Sequence, residues 1–240
     1  MPTETRIDVA KDLEDLAHRA ARWIADIVRG REGRLAISLS GGSTPRRLYQ
    51  LLAEAPYRGA MPWDRIHWFW GDERFVPPDH PDSNYRMVSE ALLSRAPIPA
   101  ENVHPVATGG TPSAAAQDYQ RTLQSFYGAL ALDPARPLFD IELLGLGPDG
   151  HTASLFPGTK VLDEQQRWVA EVIGAKEEDR VTLTYPVLAS SRHTAFLVAG
   201  ADKREALARV WAGDKELPAA RLDPVGELVW FVDEQAQPPR

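Results

Sequence analysis

The sequence has no cysteine among its 240 residues, which excludes thiol catalysis, disulfide bridges and thiolate metal sites together. Long hydrophobic runs are missing too: none approaches the roughly 18 apolar residues that a membrane helix needs. The N-terminal stretch MPTETRIDVAKDLEDL lacks the apolar core of a secretory signal. These absences suit a reducing compartment, and a cytoplasmic protein with no membrane partner is expected. Basic charge is in deficit, with 27 Lys and Arg against 34 Asp and Glu and a net charge of −7. That argues against nucleic acid as a partner but not against phosphate, because a small anion is held by a local pocket rather than by net charge. No internal repeat or low-complexity linker divides the chain. With 43% hydrophobic and 25% charged residues, an ordinary globular composition, one domain over residues 1–240 is expected, with a loose tail at 235–240. The proline-containing segment 133–137 is the best candidate for a boundary but fits an ordinary surface loop just as well.

What is present alternates. Strand-like runs at residues 35–40, 66–70, 141–146, 168–172, 181–185, 194–199 and 228–232, with a shorter one at 102–106, are interleaved with helix-like runs at 12–29, 46–55, 85–95, 112–132 and 203–211. This order predicts βα units and a largely parallel sheet. In the second helix-like run Leu48, Leu51, Leu52 and Ala55 fall at i, i+3, i+4 and i+7, which predicts a single buried stripe.

Three segments carry chemistry. In LAISLSGGSTPRRLYQLL, residues 35–52, a strand ends at Ser40 and Gly41 and Gly42 permit a tight turn. Thr44 is the expected N-cap, with Pro45 at the first helical position. Backbone N–H groups at such a helix start favour an anion, and Ser43 and Thr44 add hydroxyl donors. By itself the segment fits a plain strand–turn–helix junction equally well, and no Gly-Lys-Ser/Thr follows to make it a Walker loop. In IHWFWGDERFVPPDHPDSNYRM, residues 66–87, Gly71 is followed by Asp72, Glu73 and Arg74. Arg74 suits bidentate pairing with phosphate and Asp72 suits accepting sugar hydroxyls, whereas Glu73 reads as part of a surface salt-bridge cluster. Asp79, His80 and Asp82 superficially resemble metal ligands, but prolines 77, 78 and 81 make that loop rigid and exposed, and no metal is expected there.

The third segment is FDIELLGLGPDGHTASLFPG, residues 139–158. Its apolar strand ends in three glycines, with Asp149 and His151 two residues apart beyond its carboxyl end, where ligands bind in open α/β sheets. This predicts an acid/base site. Gly145, Gly147 and Gly150 formally match the dinucleotide fingerprint, but Pro157 and Gly158 stop any long helix and Asp149 would oppose a pyrophosphate.

Taken together, SLSGGSTPRRLY, WGDERFVP with DSNYRM, and GLGPDGHTASLFPG resemble the 6-phosphogluconolactonases, as does RVTLTYPVLASSRHTAFLVAGADKREAL. The resemblance runs from residue 35 to about 207, with the motifs in family order. It implies a three-layer, doubly wound, mostly parallel α/β fold of Rossmann-like type, related to glucosamine-6-phosphate deaminase and ribose-5-phosphate isomerase. It also implies hydrolysis of 6-phospho-D-glucono-1,5-lactone to 6-phosphogluconate in the oxidative pentose phosphate pathway, without metal or organic cofactor. The deaminases are the nearest competitor. They carry a glutamate where this chain has Phe156, and tend to have tyrosine where it has Arg74, so the lactonase pattern fits better. Chemistry and resemblance together make His151 the general base, with Asp149 orienting or supporting it. The phosphate is expected between Gly41, Gly42, Ser43 and Thr44, Arg74 and Lys203, and by resemblance also Arg180. The implied partner is a small sugar-phosphate lactone, bound by a monomer or weak homo-oligomer. A non-catalytic sugar-phosphate sensor is the alternative of another class, and retention of His151 and Asp149 speaks against it.

Overall fold

The branched and aromatic runs form ten strands among residues 5–239, the part of the chain that the computed structural model describes. Residues 1–4 and 240, the outer ends of the expected domain and tail, lie outside the described residues. The strands are β1 (Thr5–Ala10), β2 (Leu35–Leu39), β3 (Ile66–Trp70), β4 (Asp72–Arg74), β5 (Val103–His104), β6 (Phe139–Gly145), β7 (Val169–Val172), β8 (Arg180–Leu183), β9 (Ser191–Val198) and β10 (Glu227–Asp233). The α-helices are α1 (Leu13–Arg29), α2 (Ser43–Leu52), α3 (Asn84–Val88), α4 (Pro112–Tyr127), α5 (Tyr185–Leu188) and α6 (Arg204–Trp211).

Seven strands make one sheet in the order β1-β10-β9-β6-β2-β3-β5, and every neighbouring pair is parallel. Such a sheet is covered on both faces, so its central strands read as continuous buried runs; all five residues of β2 are buried. On one face Trp23 of α1 packs against Phe231, ring centroids 5.6 Å apart. On the other, Phe126 of α4 packs against Phe69 at 4.9 Å, and Trp211 of α6 against Trp230 at 6.2 Å. The result is the expected three-layer α/β fold. From β2 the chain steps outward to β3 and β5, and from β6 outward to β9 and β10. The order therefore reverses between β2 and β6, and a crevice opens at such a switch point beyond the carboxyl ends of the strands.

A second sheet, β4-β8-β7, is antiparallel and was not separated from the first by periodicity. Gly71 joins the two: its N–H bonds Leu39 O at 2.9 Å, and its carbonyl accepts from Leu183 N at 2.9 Å. β1, also unanticipated, lies at the open edge of the main sheet, where half of it is exposed and its apolar signal is correspondingly weak.

Several boundaries differ from expectation. The second helix starts at Ser43, and Gly42, with φ 108°, is its N-cap without a side-chain bond. Thr44 is therefore inside the first turn and does not cap it. The helix expected to reach residue 132 stops at Tyr127 because Gly128 adopts the left-handed conformation, φ 79°, and closes onto Gln124 O, a common glycine helix stop. The strand expected to reach 185 ends at Leu183 and gives way to α5. The run at 85–95 is a short α3 continued by a wider π-turn at Ser89–Leu93. The tail expected to be loose is tied down at its start: Ala236 is buried, and its N–H bonds Asp233 Oδ1 at 2.8 Å. One charge hides within the apolar run of β6. Glu142 is 0% exposed, paired in register with Ser38, and burial, opposed by the Ser38 hydroxyl, raises its carboxyl well above the usual range.

Candidate active site

The anion-binding turn begins where β2 runs out. Tyr49, on the first turns of α2, donates its hydroxyl to Ser40 O at 2.8 Å and accepts from Ser40 N at 2.9 Å, so the strand end is fixed by the helix it feeds. Gly41 is required by close approach: a Cβ there would lie 2.0 Å from Asn84 Oδ1. Because α2 starts at Ser43 without a capping side chain, its first N–H groups lack intrahelical acceptors, and the hydroxyls of Ser43 and Thr44 are not spent on capping.

Beyond Gly71, β4 aims its side chains differently from what the sequence suggests. Asp72 is buried; its Oδ2 accepts from Ser154 Oγ at 2.6 Å, and Asn84 Nδ2 donates to its carbonyl at 2.9 Å. Glu73 is not part of a surface salt-bridge cluster. It is 1% exposed, and its carboxylate accepts from the backbone N–H groups of Asn84 and Tyr85, both at 2.7 Å, and Arg74 at 2.8 Å. Glu73 therefore welds β4 to the start of α3, where a negative charge is favoured. Burial nonetheless pushes its carboxyl up to about 7, with those N–H groups pulling the other way. Arg74 donates to Asp82 O at 2.5 Å.

Beyond β6 the chain makes a closed turn: Gly150 N bonds Gly147 O at 3.0 Å, and Gly147 N bonds His151 O at 2.9 Å. Asp149 Oδ1 accepts from His151 N at 3.2 Å and also meets His151 Nδ1. The two side chains thus face each other, although residues two apart need not. An ionised Asp149 at Nδ1 selects the tautomer that leaves Nε2 as the acceptor. Burial raises the Asp149 carboxyl, but the His151 contacts and the charge of Lys176 outweigh it, so the group sits below its ordinary value. No helix follows Gly150; Thr152 and Leu155 pair in a tight turn, with Ala153 at φ 46°, so the glycine pattern does not build a dinucleotide site.

These pieces meet in one cleft of about 220 Å³, lined by Gly41, Gly42, Ser43, Thr44, Asp72, Arg74, His151 and Lys203, together with Ser40 and Asn84. Asp149 stands behind His151 rather than on the cleft wall. Lys203, just before α6, pairs with Asp202 at 2.9 Å. Arg180, the further cation expected by resemblance, is not among the residues that line this cleft. It is buried in β8 opposite Arg74, and its Nη1 is bound to Glu178 Oε2 at 2.9 Å. Asn84, Ser154 and Lys176 were not singled out from sequence; for Asn84 the quoted DSNYRM segment was the available signal. His80 and Asp82 contact one another at 3.6 Å, and no cluster of three or more metal-ligating side chains occurs among the described residues. Among them, too, no helix is long and apolar enough to cross a membrane.

Comparison with known proteins places the chain in a family. The family described as glucosamine-6-phosphate isomerases/6-phosphogluconolactonase matches residues 11–230. A 6-phosphogluconolactonase of Nostoc sp. is 46% identical over 211 residues, 85% of this chain and 84% of its own length. One from Synechocystis sp. is 42% identical over 239 residues, 96% of each chain. The crystal structure of 6-phosphogluconolactonase from Thermotoga maritima superposes with a TM-score of 0.82 at 32% identity, covering 96% of this chain and 100% of that one. A monomeric glucosamine-6-phosphate deaminase superposes nearly as well, TM-score 0.81, at 20% identity over 96% of this chain and 98% of its own, a likeness of fold alone. With a family model spanning almost the whole chain and close relatives along its full length, the protein belongs to the glucosamine-6-phosphate isomerase/6-phosphogluconolactonase family.

Proposed function

We propose that the chain hydrolyses 6-phospho-D-glucono-1,5-lactone to 6-phospho-D-gluconate, the lactone-opening step of the oxidative pentose phosphate pathway. The observation that carries this reading is a histidine backed by a carboxylate, sharing a single cleft with two cations and an open helix start. The substrate's phosphate lies against the 41–44 turn, Arg74 and Lys203, which sets the ring so that its C1 carbonyl meets His151. Nε2 of His151 takes a proton from water as the water oxygen bonds to C1. The tetrahedral intermediate collapses, the bond from C1 to the ring oxygen breaks, and the imidazolium returns its proton to that oxygen. Asp72, held by Ser154 and Asn84, accepts substrate hydroxyls. The carbonyl of a δ-lactone is reactive enough that a base and a positioned water suffice, so no metal or cofactor is invoked. The net charge of −7 and the absence of cysteine support a soluble, cytoplasmic monomer or weak homo-oligomer. The test is proton release from freshly prepared lactone, measured against the spontaneous rate; a rate no higher with enzyme present would refute the proposal.

Deamination of glucosamine 6-phosphate is the competing chemistry on this fold. Phe156, 6% exposed, has its ring 4.8 Å from that of His151, and a phenyl ring cannot carry the proton that sugar ring opening requires. No ammonia release from glucosamine 6-phosphate is expected, with the amino sugar at most a weak competitive inhibitor. Release at a rate comparable to lactone opening would reverse the assignment.

Arg74→Ala is expected to weaken binding of the phosphorylated lactone while leaving slow turnover of unphosphorylated gluconolactone little changed. One charge-assisted bond to phosphate is worth about 1.5–3 kcal/mol, or roughly ten- to over a hundredfold in affinity. Because Arg74 also holds Asp82 O, the two substrates must be compared in the same variant; equal losses on both would mean that Arg74 acts only by holding the 75–83 loop.

A further inference from the structure

β7 and β8 form a hairpin whose closing register pair is Val172 with Arg180. Its loop is braced by Asp179 Oδ1, which accepts from Gly174 N at 3.1 Å. The loop reaches back over the turn after β6, and Lys176 Nζ comes within 3.4 Å of Asp149 Oδ2. That is the carboxylate oxygen not engaged by His151, since both His151 contacts are to Oδ1. The same Nζ lies 4.9 Å from the Phe156 ring centroid, and the Phe156 ring in turn is tilted 51° against the imidazole at 4.8 Å. Lys176, Asp149, His151 and Phe156 therefore close a ring of contacts, each touching the next. Among the described residues, Lys176 is the one cation besides His151 within ion-pair distance of Asp149.

We infer that Lys176 is a positioning residue of the hydrolytic site: entering from the β7–β8 hairpin, it holds the Asp149 carboxylate by its second oxygen and so sets the orientation and the charge balance of His151. The inference rests on the roles proposed for His151 and Asp149. Two physical effects follow. A carboxylate tethered at Oδ2 presents Oδ1 to Nδ1 in one orientation, which keeps Nε2 directed at the cleft. The ammonium also sets a positive charge beside the Asp149–His151 pair, against the negative charge of the carboxylate. Phe156 supplies a face that favours the ammonium while packing the imidazole. The other charges around His151 are Asp149 on its own turn, Asp72 and Arg74 from β4, and Lys203 before α6, and all of these remain when Lys176 is changed.

The decisive measurement is the pH profile of kcat/KM for Lys176→Met and Lys176→Arg beside the wild type. Lys176→Met removes the charge and keeps the stem, so its acid limb is expected to move to higher pH, the direction that follows from losing a positive charge beside the site. KM for the phosphorylated lactone should stay within about twofold, because the phosphate is held elsewhere. Lys176→Arg should restore the wild-type limb. The lysine side chain is 43% exposed, so salt should screen it: raising ionic strength to about 1 M should bring the wild-type limb toward that of Lys176→Met and leave the latter nearly unmoved. An unchanged limb and kcat in Lys176→Met would overturn the inference, and so would a large rise in KM at constant kcat, the signature of a phosphate ligand. Full activity of His151→Ala, in contrast, would defeat the underlying acid/base roles whatever the Lys176 variants do.

Discussion

Replacing His151 by alanine is expected to lower kcat roughly 10²- to 10⁴-fold, the range for loss of a positioned acid/base group, with KM changing far less. The asymmetry has a structural reason. The groups assigned to the phosphate, the 41–44 turn, Arg74 and Lys203, belong to other elements, and among the described residues the imidazole hydrogen-bonds to Asp149 instead. The backbone of residue 151 also keeps its bond from Gly147 N, so the turn should survive loss of the side chain. Residual activity should lose the acid limb of its pH profile, since the group whose deprotonation switches on catalysis is gone. Near-normal turnover by a folded variant would remove His151 from the mechanism.

Much of the site was legible because of where parallel strands end. A β-strand followed by glycines and then by functional side chains marks the carboxyl edge of an α/β sheet, and β2 and β6 both show this pattern at Gly41–Gly42 and Gly145–Gly150. Adjacency of β2 and β6 is a property of the winding, invisible in either segment alone, and only the family resemblance supplied it. Local signals failed where a side chain's partner lies far along the chain. Asp72 owes its burial to Ser154, 82 residues away, and Lys176 meets Asp149 across 27 residues. Neither pairing has any periodicity to betray it.

Glu73 was misread for a different reason: charge is a prior for exposure, and Glu73 is buried. In β4, Glu73 reads as part of a surface salt-bridge cluster, yet its carboxylate is taken up by the N–H groups at the start of α3. Arg180 carries a family expectation of phosphate contact; its Nη1 is bound to Glu178 Oε2, two residues earlier. For Phe156, which the sequence presents only as a missing glutamate, the geometry adds a positive role: its ring packs against both His151 and Lys176.

The turn after β6 offers a sharper probe of the same chemistry than deletion of the base. At Gly147 a Cβ would lie 2.0 Å from His151 Nδ1, 2.1 Å from its Cε1 and 2.8 Å from Asp149 Oδ1, all far inside contact distance. Gly147 is not among the positive-φ glycines, so its backbone accepts an L-residue without strain, unlike Gly150 at φ 77° against Leu217. Gly147→Ala should therefore fold, yet drive the imidazole off Asp149 by about an ångström or more. A displacement of that size can cost on the order of 10² in rate, and a loss of 10²- to 10³-fold in kcat is expected, with KM close to wild type and a thermal midpoint lowered by only a few degrees. The cycle with His151→Ala makes the cause visible. Once the imidazole is absent the added methyl meets only Asp149 Oδ1, at 2.8 Å, a carboxylate whose histidine partner is already gone, so the double variant should be little worse than His151→Ala alone, a strongly non-additive result for residues in direct contact. Additive losses would mean that Gly147 matters through the backbone of the turn, and wild-type turnover in Gly147→Ala would show that the Asp149–His151 contact is not needed for the base to work.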